Sequence, residues 1–157
     1  MSLGGGGGGG QMQELQQQLQ ALEQEKEALE GEVEELRAEQ SEIDEAIEAL
    51  DVLDSGSTVQ VPLGGDAYVR ATVEDIDEVI VSLGGGYAAE HESDEAVETL
   101  EHKKDTIDER IEDLREEISQ VETETERLEQ QAQQMQQQQM QQMQQQMGGP
   151  GDGGDEE

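Results

Sequence analysis

Apolar residues alternate with polar or small ones in the middle of the chain, between Val59 and Glu90. The alternation is interrupted at Gly64-Gly65-Asp66, at Glu74 to Glu78 and at Gly84-Gly85-Gly86. Short apolar runs of period two, separated by glycine and aspartate, are typical of β-strands joined in hairpins. The pattern therefore predicts a small β-module at residues 55–92, with strands at residues 59–63, 67–73 and 79–83.

Seven-residue repeats flank this module on both sides. From Gln11, and again from Val97, the apolar positions step alternately by three and four residues. A sustained 3-4 spacing with charged flanks predicts coiled-coil helices, here over residues 11–54 and 93–147. Gly31 is a weak point, since glycine costs about 1 kcal/mol relative to alanine inside a helix. The predicted seam consists of Leu22, Leu29, Val33, Leu36, Ile43, Ile47, Leu50, Val97, Leu100, Ile107, Ile111, Leu114, Ile118 and Val121.

The sequence also marks where each helix ends or begins. Asp54-Ser55-Gly56 predicts the end of the first helix, with glycine available for a left-handed cap. Ser93 is a candidate cap for the second helix. Asp94 and Glu95 follow it, and their charge suits the positive end of a helix dipole.

The two seams can be matched to each other. If the helices fold back antiparallel around the β-module, Leu50 faces Val97 and Met12 faces Met135, with every layer between them in one register. Shifting one helix by seven residues against the other preserves the 3-4 spacing of both seams, so that alternative pairing stays open. Scattered polar residues in a seam commonly fix its register at a cost in stability. In this register an apolar residue faces each of the four polar seam residues: Val121 faces Lys26, Ile107 faces Gln40, Ile43 faces Lys104 and Leu22 faces Thr125.

Composition limits the kind of fold and the kind of partner. The chain of 157 residues has no Phe, no Trp and two Tyr, so it lacks the aromatics that fill a thick core and favours an elongated fold. Its formal net charge is -33, from 41 acidic and 8 basic residues. Nucleic acids and anionic membrane surfaces are excluded as partners because both require a basic surface.

Such acidity indicates either disorder or life in concentrated salt. The strict apolar periodicity argues against disorder for most of the chain. At about 1 M salt the Debye length is only about 3 Å, so the repulsion between carboxylates is largely screened. We therefore expect a halophilic source and a fold that loosens in low salt.

The chain has no cysteine, which excludes disulfides and thiolate sites. No segment has the roughly 20 apolar residues of a membrane span, and the N-terminus lacks the basic and apolar regions of a signal peptide. We expect a soluble cytoplasmic protein. Residues 1–10, a glycine tract, and residues 148–157, an acidic stretch, are expected to be disordered tails.

No catalytic set stands out, so we expect neither an enzyme nor a cofactor. His91 and His102 are the two histidines, and His102 is expected on a solvated helix surface. The acidic run from Glu74 to Glu78 lacks the spacing of a calcium loop and is interpreted as a solvated turn, with no metal site. Gly84 to Gly86 has no following G-K-[ST] and is interpreted as a turn, not a phosphate loop.

The candidate functional signal lies at the two far helix ends, where methionine is common. Methionine is flexible and polarisable, which suits binding to varied apolar surfaces. For the first five candidates, seam packing and contact with a client protein are equally good interpretations. For the last three, the alternative is a low-complexity disordered tail. The candidates are Met12, Leu15, Leu19, Leu128, Met135, Met140, Met143 and Met147.

The order of helix, two hairpins and antiparallel helix resembles the alpha-class subunit of archaeal prefoldin. VPLGGDAYV, from Val61 to Val69, is similar to the first hairpin of that family. VIVSLGGGYAAE, from Val79 to Glu90, is similar to the second, which distinguishes the alpha class from the one-hairpin beta class. The resemblance covers about residues 11–135 and leaves out the glycine head and the Met/Gln tail.

This resemblance implies an α+β fold in which a long antiparallel coiled-coil hairpin carries a two-hairpin β-module. Two alpha and four beta subunits would join their hairpins into a β-barrel platform. The hetero-hexamer would act as an ATP-independent holdase, gripping non-native proteins at apolar coiled-coil tips and passing them to a group II chaperonin. The implied oligomerisation residues are Val59, Val61, Leu63, Tyr68, Val69, Val79, Ile80, Val81 and Leu83.

Two other classes of function remain open. A structural coiled-coil spacer or dimeriser needs neither exposed apolar tips nor a β-module with free edges. A single-partner adaptor would bind one protein, a basic one given the charge of this chain. Suppression of aggregation across unrelated clients separates a holdase from both.

Overall fold

A computed structural model describes residues 6–148, with side chains described for residues 9–146. The chain contains two long helices and two antiparallel β-hairpins, which confirms the predicted α+β class. In the described part, no helix is long and apolar enough to cross a membrane. The elements are α1 (Gly6–Val52), β1 (Thr58–Gly64), β2 (Ala67–Thr72), β3 (Val79–Gly84), β4 (Tyr87–His91) and α2 (Ser93–Gly148).

Helix α1 begins at Gly6, earlier than the predicted start at Gln11, so the end of the glycine tract is helical. It continues without a break through Gly31, because packing of an apolar stripe contributes more to helix stability than the propensity of one residue. Residues 1–5 and 149–157, most of the two predicted tails, lie outside the described residues.

The turn that follows α1 differs from the predicted glycine cap. The helix ends at Val52, and the amide of Ser57 donates to the carbonyl of Asp54 at 3.0 Å. Gly56, with a φ of +94°, therefore lies inside this turn and not at the helix end. The Gly56 amide also donates to the carbonyl of Val73 at 2.7 Å, which joins the turn to the residue after β2.

The two hairpins share a sequence, Val-x-Val-x-Leu-Gly-Gly, and a geometry. Each turns through two residues of positive φ, Gly65-Asp66 in the first and Gly85-Gly86 in the second. Positive φ at both central positions is typical of the type I′ turn, whose twist matches that of the paired strands. Leu63 and Leu83 have no cross-strand partner, so each hairpin carries a bulge beside its turn. The prediction of a turn at Gly84 to Gly86 is confirmed.

The described chain divides into two compact units. The hairpin unit, Glu32–Asp113, holds both hairpins and the adjoining parts of the two helices. Gln40 Nε2 donates to Lys104 O at 3.2 Å and to Asp108 Oδ1 at 2.5 Å, while Arg110 Nη2 lies 3.0 Å from Glu32 Oε1. These contacts show antiparallel helices in the predicted register, which places Ile107 opposite Gln40.

The terminal unit comprises the described residues up to Gly31 and from Leu114 onward. Its two helical segments lie against each other, with Lys26 Nζ 3.1 Å from Glu122 Oε1. Glu122 directly follows Val121, the residue predicted to face Lys26 in the seam. In both units all of the predicted seam residues are buried or half-buried.

The sequence predicted Ser93 as the cap of helix α2, which would place it just before the first helical residue. In the structure Ser93 is itself the first residue of the helix. Its amide faces Asp77 Oδ1 at 3.5 Å, a long hydrogen bond from the loop between the hairpins. Asp94 and Glu95 occupy the first turn, as predicted. Negative charge from both the loop and the helix therefore lies at the positive end of the helix dipole.

Candidate functional site

The second hairpin lies against the helices of its own unit through one face. Val81 is 5% exposed and lines a groove of about 350 Å³ together with Leu50 and Leu100. Lys103 Nζ donates a hydrogen bond to the carbonyl of Ser82 at 2.9 Å. Apolar packing and one charge-assisted hydrogen bond thus attach β3 to the helix pair.

Val81, a predicted oligomerisation residue, is therefore already buried inside the monomer. Only its backbone is available to a further strand. Lys103 was missed by the sequence analysis, because it is off the heptad seam and nothing in a helix pattern indicates contact with a distant strand.

The first hairpin leaves its corresponding face open. Val61 pairs with Val69 across the two strands, and Val61 is 41% exposed although it holds the same place in the shared motif as Val81. Val69 and Leu63 are also exposed, and so is Tyr68, which pairs with Pro62 and lies on the other face of the hairpin. Exposed apolar residues on a small sheet mark a contact surface. In the described part of the chain each strand of this hairpin pairs with one neighbour, so each has a free edge that can pair with another chain.

The second hairpin has exposed apolar residues as well. Ile80, next to Val81 on β3, lies on the face opposite to it and is exposed, as are Leu83 and Tyr87. Leu83 lies on the helix side, where it lines a groove of about 420 Å³ with Lys103 and Ile107. Tyr87 was not among the predicted oligomerisation residues, since it lies on the fourth strand, which the residue pattern alone did not delimit. Among the predicted residues, Val59 and Val79 are half-buried.

The acidic loop between the hairpins is anchored to the ends of the helices. The amide of Ile76 donates to Ser55 Oγ at 3.1 Å, and Asp77 N donates to Asp75 Oδ1 at 3.0 Å. Ile76 lines a groove of about 460 Å³ with Leu50 and Val97. Within residues 6–148 no group of three or more His, Asp or Glu side chains is placed to hold a metal ion.

The histidines occupy different surroundings. His102 is exposed. His91 is half-buried, with Nδ1 3.9 Å from Glu95 Oε2. Its Nε2 is buried without a hydrogen-bond partner among the described residues.

Two lysines in the seam are held by carboxylates of the opposite helical segment. In the hairpin unit Lys104 donates a hydrogen bond to Asp44, and this bond raises the pKa of Lys104. In the terminal unit the hydrogen bond with Glu122, followed by its charge, raises the pKa of Lys26. Both ammonium groups are therefore favoured in the charged form.

The predicted client-contact residues of the terminal unit fall into three groups by exposure. Leu15 and Leu128, each 6% exposed, are buried in the seam. Met12, Leu19 and Met135 are half-buried. A client can reach the first pair only if the helices separate, so that pair has a packing role in the closed structure.

Met140 and Met143 form the third group, with exposed fractions of 66% and 64%. Continuing the heptad past Met135 assigns Gln139 and Gln142 to the seam, so these methionines lie one position off it. The segment is helical, in contrast to the alternative of a disordered tail. Met147 lies in α2, but its side chain is outside the described residues.

Comparison with known proteins shows the family of this chain. A family model described as prefoldin subunit matches residues 22–146, which include both hairpins and most of both helices. The chain belongs to the prefoldin family.

The curated relatives that match include prefoldin alpha subunits of halophilic archaea. The subunit of Haloarcula marismortui is 71% identical over 74% of this chain and 75% of its own length. The subunit of Halobacterium salinarum is 71% identical over 73% of each chain. These sources confirm the predicted similarity to halophilic alpha-class prefoldins.

A solved structure shows the same prefoldin fold. A chain in the cryo-EM structure of filamentous PFD from Methanocaldococcus jannaschii is 28% identical, with a TM-score of 0.62, over 72% of this chain and 96% of that chain. Prefoldins are chaperones and not known enzymes, so membership supports a chaperone role and assembly with other prefoldin subunits.

Proposed function

We propose that this chain is a subunit of an ATP-independent holdase, which binds non-native proteins at the helix ends of its terminal unit and delivers them to a group II chaperonin. The observation that carries the proposal is family membership combined with an exposed apolar helix end. Met140 and Met143 supply that end. No nucleotide is required, because holding a client needs only reversible burial of apolar surface.

The hairpins are the proposed assembly surface. Two copies of this chain would join four beta-class prefoldin subunits through strand edges and exposed residues of the first hairpin, among them Val61, Leu63 and Tyr68. Strand edges bind partners by main-chain hydrogen bonds, and alternate side chains supply specificity. The native mass of the complex, captured in molar salt, tests this stoichiometry. A closed hexamer supports it, whereas a filament, a homodimer or a complex with one unrelated protein contradicts it.

The chemistry of the helix end also indicates which clients it can hold. No residue from Gln130 to Gly148 is charged, although the whole chain has a net charge of -33. An acidic client would be repelled by the other helical surfaces but not by this one. Apolar contact through methionine is also insensitive to sequence, so we expect clients of varied sequence, including acidic ones.

Suppression of aggregation tests the holding activity. The assembled complex is mixed in molar KCl with several unrelated denatured proteins, and light scattering is followed over time. We expect suppression by the wild type, and weaker suppression by a variant with Met140→Gln and Met143→Gln. The matched control replaces two exposed neighbours, Gln138→Ala and Gln141→Ala, and should behave as the wild type.

Other results would assign a different class of function. Suppression of none of the clients would favour a structural spacer. Binding of a single basic protein, with no effect on unrelated clients, would favour an adaptor.

A further inference from the structure

The described methionine side chains differ in their exposure to solvent. The chain has six methionines and no cysteine, so oxidation of sulfur is restricted to thioethers. Met140 and Met143 are about two-thirds exposed, whereas Met12 and Met135 are half-buried at the seam. Residues three apart lie on one face of a helix. These two exposed thioether side chains therefore share one face.

The helical stretch that carries this pair, residues 130–146, contains no ionisable side chain. Every residue from 130 to 146 is Gln, Ala or Met, and no residue of this stretch is buried. The apolar character of the exposed face thus depends on Met140 and Met143. A chemical change at those two sulfurs would convert it into a polar face without disturbing the seam.

We propose that Met140 and Met143 form an oxidation-sensitive site that switches client binding off. The oxidant is a peroxide. The thioether sulfur attacks one oxygen of hydrogen peroxide, an S–O bond forms and the O–O bond breaks. The leaving hydroxide takes the proton of the transferred hydroxyl, which gives a sulfoxide and water. Sulfur is oxidised by two electrons and the peroxide is reduced by two. Methionine sulfoxide reductases reverse the change with electrons from a thiol.

The expected effect follows from the polarity of the sulfoxide. Oxidation replaces a flexible apolar side chain with a polar one and disrupts methionine-rich contact surfaces. The oxidised helix end would release its clients. This consequence rests on the proposed holdase function, whereas the selectivity of oxidation does not.

Peptide mapping measures the selectivity. The assembled protein is treated with hydrogen peroxide in molar KCl, quenched with catalase at intervals and digested with trypsin. The peptide from Leu128 to Glu157 contains four methionines, Met135, Met140, Met143 and Met147, and fragmentation assigns each sulfoxide to its residue. We expect Met140 and Met143 to oxidise several-fold faster than Met135, since susceptibility follows exposure. Equal rates would overturn the proposal.

A pair of matched variants tests the switch. Leucine is apolar but does not form a sulfoxide. After peroxide and catalase treatment, the wild type should lose aggregation suppression and regain it with methionine sulfoxide reductases. Each variant is compared with its own activity before peroxide treatment. A variant with Met140→Leu and Met143→Leu should keep that activity through the treatment, whatever its starting level. The control, Met12→Leu with Met135→Leu, should lose activity as the wild type does.

The outcomes separate the two proposals. An active holdase whose activity survives peroxide would overturn the switch alone. Equal loss of activity in the wild type and in the variant with Met140→Leu and Met143→Leu would also overturn it. Lack of aggregation suppression before any oxidation would overturn the holdase proposal, and the switch with it.

Discussion

Lys104 and Asp44 are joined by a hydrogen bond across the two helices of the hairpin unit. The carbonyl of the same lysine accepts a hydrogen bond from Gln40, so one polar layer occupies the seam between apolar ones. A polar layer of this kind penalises any shifted pairing, because a shift leaves its groups without partners. It therefore removes the one-heptad ambiguity that the repeat by itself leaves open.

The seam lysines should make stability fall at high pH. Their pKa values are raised in the folded protein, whereas unfolded lysine titrates near about 10.4. The stabilisation is fully present below that pH and is lost as the pH rises through the raised values. Thermal unfolding between pH 9 and 12 should show this loss. A variant with Lys26→Met and Lys104→Met should lose less stability over this pH range. An equally steep decrease of stability with pH in the variant and the wild type would show that the two lysines do not cause it.

Val81→Ala should destabilise the chain by about 2 kcal/mol, from two buried carbons at about 0.8 kcal/mol each plus a cavity term. Val61→Ala, at the corresponding position of the first hairpin, should stay within about 0.5 kcal/mol because the site is exposed. Urea unfolding in molar KCl at low protein concentration measures both. Equal effects would show that the two hairpins are docked alike.

Leu128→Ala should cost about 2–5 kcal/mol, as expected for truncating a buried leucine. Met140→Ala should stay within about 0.5 kcal/mol, because its side chain is exposed. Thermal unfolding of the two variants separates seam packing from surface exposure. A small effect of Leu128→Ala would indicate that the helix ends are open in solution.

Removing salt should loosen the helices, since 41 acidic residues face 8 basic ones. Screening weakens as the Debye length grows from about 3 Å at 1 M salt to about 30 Å at 0.01 M. Helical circular dichroism should therefore fall between molar KCl and dilute buffer. An uncharged osmolyte at matched water activity is the control, and a constant signal across the salt series would count against the expectation.

The sequence predicted the elements better than the contacts between them. Period and turn chemistry are local, so the 3-4 spacing predicted both helices and the glycines predicted both turns. The repeat left the register open by one heptad, and the contacts of Gln40 and Lys104 in the structure determine it. The bond from Lys103 to Ser82 could not be predicted, because it depends on how a strand lies against a helix. The different burial of Val61 and Val81 could not be predicted either, because the two residues hold the same position in two copies of one motif.

That duplicated motif has a consequence for how the protein can evolve. One copy of Val-x-Val-x-Leu-Gly-Gly is attached to its own helices, while the other leaves the same face free. Mutations in the attached copy are selected for their effect on the folding stability of the subunit. Mutations in the free copy are selected mainly for their effect on binding to other subunits. A lineage can therefore acquire new subunit partners through the first hairpin while the stability of each subunit is inherited unchanged.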